Sequence, residues 1–254
     1  SRRGRFAKVV ICSLLVLIMV NGYVFASELA NTPWPKARGD MNNTGLSQYV
    51  GPSEGIQEWA YNTSGKIYGT AVIGTNGEII FGSESGKLYA LNLDGTEKWV
   101  YDAGASIWST AAIANDGTIY CITNGGGLLA LKQSGELKWN FQFGEAMYGS
   151  GITIDEVGNI YFGTDSGKLI VVSAEGEKLW EKTLDGMFRW STPAIGDDGT
   201  IYVMLYGRDA STMAKVVAFT PDGILKWSVV LNHRASFASP AIGDDGNIYV
   251  TDMR

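Results

Sequence analysis

A repeat of about 40 residues constrains this chain more than any other feature, because a period of that length means stacked supersecondary units. Trp59, Trp99, Trp139, Trp180 and Trp227 follow one another at intervals of 40, 40, 41 and 47 residues. Gly77, Gly117, Gly158, Gly199 and Gly246 keep step, at intervals of 40, 41, 41 and 47. The longer fourth interval is a local insertion around residues 207–213.

Each unit carries the same punctuation. In the second, Ala111-Ala112-Ile113-Ala114 leads to Asn115-Asp116-Gly117, then to Ile119-Tyr120-Cys121-Ile122, Leu128-Leu129-Ala130-Leu131 and Leu137-Lys138-Trp139. These are short β-rich runs divided by Gly turns, and Asp-Gly or Asn-Gly supplies the positive φ of a tight hairpin. Four antiparallel strands in a repeat of about 40–45 residues predict an all-β propeller. One such sheet cannot bury both faces, so blades must stack, and the tryptophan placed at the end of each fourth strand is expected to fill the gap between neighbours.

The sequence predicts four to five blades in a truncated chain, out of about seven or eight in a complete ring. Residues 59–254 hold the blades. Residues 27–58 are a lead-in plus Gly55-Ile56-Gln57-Glu58-Trp59, a spare fourth strand suited to closing the ring by hiding exposed edges.

Charge and leader bound the location. Residues 1–26 hold four of the 20 basic side chains and none of the 26 acidic ones, so the remainder is more acidic than the overall net charge of -6. An acidic domain repels phosphate backbones, which argues against nucleic acid as a partner. The basic start, the apolar run 9–20 and Ala26 predict a signal peptide cleaved after Ala26, leaving no stable membrane span. Periplasmic, cell-surface or extracellular location follows. Only Cys121 then remains, so no internal disulfide is possible.

The stretch Leu88-Tyr89-Ala90-Leu91-Asn92-Leu93-Asp94-Gly95-Thr96-Glu97-Lys98-Trp99 resembles the tryptophan-docking segment of the PQQ-like β-propeller repeat family. Trp34-Pro35-Lys36-Ala37-Arg38-Gly39-Asp40 resembles that family's lead-in, and Ser191-Thr192-Pro193-Ala194-Ile195-Gly196-Asp197-Asp198-Gly199 its repeat consensus. The resemblance implies a propeller over residues 34–254. It implies less about function, since the family spans quinoprotein dehydrogenases holding pyrroloquinoline quinone and calcium, a scaffold lipoprotein of outer-membrane assembly, and other exported proteins. The dehydrogenases carry an adjacent Cys-Cys pair, whereas this chain has Cys12 and Cys121 alone.

Tyr68, Trp108, Tyr148, Trp190 and Phe237 occupy one aligned position, nine or ten residues after each repeat tryptophan and just before or at the first strand. They either form an aromatic platform for a peptide or glycan at the axial mouth, or anchor the loops between blades. Other chemistry is thin. Asp197-Asp198 and Asp244-Asp245 suit hairpin turns better than a calcium loop. His233 is the chain's one histidine and lacks the partners of a zinc site. Cys121 aligns with Phe81, Phe162, Val203 and Val250, as a small buried hydrophobe would. Arg38-Gly39-Asp40 matches an adhesion tripeptide, at a length where chance matches are common.

The expectation is an exported, non-enzymatic binding or scaffold protein with no catalytic, cofactor-binding or metal residues. The alternatives are a quinone-dependent dehydrogenase whose remaining site lies beyond Arg254, and a cell-surface adhesion protein with further domains.

Overall fold

A computed structural model describes residues 29–47, 49–208, 213–232, 234–235 and 238–253. The segment expected to be a signal peptide, with Cys12, residues 209–212 of the insertion, His233 and Phe237 lie outside the described residues.

Among the described residues four antiparallel four-stranded sheets follow one another, at 72–102, 112–142, 153–183 and 194–230. Each is a meander in chain order, as hairpin turns of the Asp-Gly type dictate. A fifth unit contributes the hairpin Ala241–Ile242 with Ile248–Tyr249, and Arg234–Ala235 pairs with Asp252–Met253. The expected four to five blades are therefore present. The β-structured elements alternate with turns throughout, and no helix occurs among the described residues.

Burial grades outward across each blade. The first strands of blades 2, 3 and 4, each two residues long, are fully buried, as are most residues of the second and third strands. The fourth strands are largely exposed. Apolar faces of adjacent blades meet in continuous clusters, such as Tyr120, Ile122 and Leu128 of blade 2 with Ile154, Ile160 and Phe162 of blade 3. Cys121 sits in this interior without a disulfide, opposite Leu129, in register with Phe81, Phe162 and Val203. Its alignment as a buried hydrophobe holds, and burial pushes its thiol up to about 12.

The tryptophans do bridge blades. The indole N–H groups of Trp59, Trp99, Trp139 and Trp180 donate to Leu93 O, Gln133 O, Ala174 O and Pro221 O at 2.9, 3.0, 2.9 and 3.1 Å. Each acceptor lies in the turn before the fourth strand of the next blade. The docking residue is the third residue of its strand rather than the last, however: in Glu97–Asp102 three residues follow Trp99. A β-bulge explains the offset. Trp99 opposes Ala90 while Glu97 opposes Leu91, so Lys98 is the extra residue. The bulge recurs in blades 2 to 4, and in blades 1, 2 and 4 the bulged lysine reaches an acid near the first hairpin.

Gly55–Trp59 forms no ladder with any described strand, and Ile56 is 72% exposed. Trp59 nevertheless docks on blade 1 as its counterparts do.

The lead-in has a larger part than its sequence suggests. Ala30 N donates to Ile113 O, Ile73 N to Trp34 O, Ile113 N to Pro35 O, Ile195 N to Met41 O and Ile242 N to Asn42 O, all within 3.0 Å. One segment thus caps the free edges of the inner strands of blades 1, 2, 4 and 5. It crosses the axis and ties blades far apart in sequence to one another.

Candidate functional site

The aromatic positions lie four or five residues before the first strand of their blades, in the loops that enter the inner strands. None is within a strand. Because these loops all face the axis at one end, the side chains converge. Ring centroids are 4.9 Å apart for Tyr68 and Trp108, 5.2 Å for Trp108 and Tyr148, and 6.4 Å for Trp190 and Tyr68. Blades 1 and 4 meet in the last pair, so the cluster joins aromatics of four blades.

Neighbouring loops hold the cluster in place. Thr70 N donates to Thr110 Oγ1 at 2.9 Å, Ser150 Oγ to Ser191 O at 2.6 Å and Thr192 N to Ser239 Oγ at 2.8 Å. Trp190 takes a left-handed backbone, φ 55°. Its ring lies against Gly149, where a Cβ would come within 2.2 Å of the indole, so only glycine admits this packing.

Tyr68, Trp108 and Trp190 line a cavity of about 510 Å³ together with Trp34 and Arg38 of the lead-in, and Tyr148 lies outside its lining. That volume lies within the roughly 300–1,000 Å³ typical of small-molecule sites. Tyr68 and Tyr148 remain 43% and 39% exposed, so the cluster does not use all its apolar area on itself. The indole N–H groups of Trp34 and Trp108 are buried and have no acceptor among the described residues.

Charge around the mouth is arranged unevenly. Arg189 lies 5.8 Å from the Tyr148 ring centre and 3.6 Å from Asp165, forming a cation–π contact and an ion pair at once. Burial pushes the Asp165 carboxyl up, and Arg189 opposes that shift. Lys36 is fully buried in the lead-in, and its Nζ donates to Ala37 O, Asp40 O and Asn43 Oδ1 at 2.9, 2.9 and 2.6 Å. Desolvation lowers this lysine to about 7. Asn43 Nδ2 in turn donates to Thr192 O, Pro193 O and Pro240 O of blades 4 and 5.

The acidic turns behave as turns. Asp198 accepts from the hydroxyl and amide of Thr200 and is held down to about 2, and Asp245 accepts from Asn247 and Tyr249. Residues of the lead-in were the part of the site that sequence reasoning missed. Arg38 falls within the tripeptide match, yet it stands on the cavity wall, with φ 63°. Among the described residues the cavity walls present no carboxylate, so that donor set does not fit a calcium-held quinone.

Repeated four-stranded blades, axial first strands and tryptophan docking define a β-propeller of PQQ-like repeats. A family model described as "Outer membrane protein assembly factor BamB" matches residues 47–150 and 132–253. The chain belongs to that family. No curated protein matches. Among solved structures, the quinohemoprotein alcohol dehydrogenase of Comamonas testosteroni is 18% identical with a TM-score of 0.67, over 87% of this chain and 46% of that one. A Bacteroides caccae protein of unknown function is 19% identical with a TM-score of 0.54, over 77% and 73%. BamB of Moraxella catarrhalis is 22% identical with a TM-score of 0.48, over 68% and 64%. The chain thus spans less than two thirds of the BamB structure and about half of the dehydrogenase. At these identities the likeness concerns the fold.

Proposed function

We propose that this protein is an exported, non-enzymatic binding or scaffold propeller of the cell envelope or cell exterior, engaging its partner at the axial mouth. One observation carries the reading: Tyr68, Trp108 and Trp190, from three different blades, share a cavity and Tyr148 of a fourth packs on Trp108, while a separate tryptophan set does the inter-blade packing. Aromatic rings offer large contact area at low entropic cost, which is why they concentrate at binding surfaces. The family description as an assembly factor supports an envelope role. No helix among the described residues is long and apolar enough to cross a membrane.

The test compares the full-length protein with Trp108→Ala/Trp190→Ala in cross-linking and pull-down from envelope extracts of the source cell. The reading expects a specific partner that the folded double variant loses. A partner retained by the double variant would move binding away from the mouth. Stoichiometric uptake of pyrroloquinoline quinone with calcium, accompanied by dye reduction, would replace the scaffold reading with an enzyme.

A further inference from the structure

Arg38 sets the mouth apart from an ordinary apolar patch. Its guanidinium is exposed on the cavity wall, and no carboxylate lies within 4.0 Å of it among the described residues, whereas nearby Arg189 is paired with Asp165. An unpaired cation on the wall of an aromatic-lined cavity is a place for an anion. Its backbone is fixed: Gly45 N donates to Arg38 O at 2.9 Å, and Gly39 N to Lys36 O at 3.1 Å. The lead-in that presents Arg38 is itself pinned to the inner strands, so the backbone that carries the cation is held at the cavity wall.

Ring geometry selects the body of the ligand. On the cavity wall the Tyr68 plane is tilted by 44° to Trp108 and by 53° to Trp190, which makes a curved wall. A flat aromatic molecule wants a parallel slot. A puckered sugar ring stacks its C–H face on one ring and leaves its equatorial hydroxyls free. Thr70, Thr110 and Thr192 line the same wall and carry side-chain hydroxyls of the kind that pair with a sugar's hydroxyls.

We propose that the axial mouth binds a carboxylate-bearing glycan, a hexuronate unit stacked on Trp108 and its ring neighbours with its carboxylate on Arg38. This rests on the reading of the mouth as a binding site and names its ligand class. A charge-assisted, bidentate contact of this type corresponds to roughly ten- to hundredfold in affinity.

Calorimetric titration of the full-length protein with trigalacturonate and with its methyl ester tests the proposal, because esterification removes the charge and keeps the sugar rings. The acid form is expected to bind at least about tenfold more tightly. Arg38→Gln is expected to erase that difference while leaving the weaker ester affinity, and Arg38→Lys to restore part of it. Trp108→Ala is expected to weaken both forms, with circular dichroism establishing that each variant folds. Equal affinity for acid and ester overturns the proposal on the unaltered protein alone. Binding of neither sugar also overturns it. If a mouth-dependent protein partner is then still captured, the binding reading survives and only the ligand class fails.

Discussion

Gly135→Ala should cost more than its backbone angle alone explains. Gly135 has φ 85°, and a Cβ there would lie 2.7 Å from Trp99 Cδ2 and 2.9 Å from Cγ. Left-handed backbone costs an alanine about 1–2 kcal/mol. The clash adds a second part, since the indole must lift off the turn. That weakens its 3.0 Å hydrogen bond to Gln133 O, worth about 1 kcal/mol, and opens the packing beneath it. The sum is about 3 kcal/mol. Gly104→Ala is the control, because Gly104 has φ 71° and nothing within 4 Å of its Cβ position. It should cost about 1–2 kcal/mol. In a Trp99→Ala background the cost of Gly135→Ala should fall to that same level, a coupling of about 1–2 kcal/mol. Urea unfolding of the unaltered protein and these four variants measures this through midpoints and slopes. A Gly135→Ala cost equal to that of Gly104→Ala, or unchanged without the indole, would refute the docking argument.

The buried lysine and thiol give two more tests. Between pH of about 7 and 10.5 the unfolded chain holds a proton at Lys36 that the native chain sheds, so this group makes stability rise with pH across that window and leaves it flat below. Lys36→Met should be less stable and lack that rise, as urea midpoints at pH of about 7 and 9.5 would show; an identical rise in both proteins would contradict it. In a Cys12→Ser protein, Cys121 should resist iodoacetamide at pH of about 8 while folded and react on unfolding, because burial disfavours its thiolate.

Much of the blade was legible because it repeats. A period of 40 or 41 residues places equivalent side chains in equivalent places, so Cys121 could be read from Phe81 and Phe162, and the aromatic loops from one another. Position within a strand was less legible. The bulge at Lys98 adds a residue that no spacing between tryptophans shows, and it leaves Trp99 three residues short of the strand end. The lead-in was least legible, because it occurs once. Lys36 reads as a solvated charge until its partners Ala37 O, Asp40 O and Asn43 Oδ1 are in place around it. Arg38 reads as part of a chance tripeptide until Trp34, Trp108 and Trp190 share a cavity with it. Tyr68 and Trp190 are 122 residues apart in sequence, and only closure around the axis brings their rings to 6.4 Å.

The account assigns two tryptophan sets to two kinds of work, and their unfolding and binding measured side by side test it most directly. Trp99→Ala should lower stability by about 3 kcal/mol and leave mouth binding intact. Trp108→Ala/Trp190→Ala should stay within about 1 kcal/mol of the unaltered protein per site and abolish binding at the mouth. A mouth variant that unfolds, or loses as much stability as Trp99→Ala, would make the ring of aromatics a packing device and contradict the central claim.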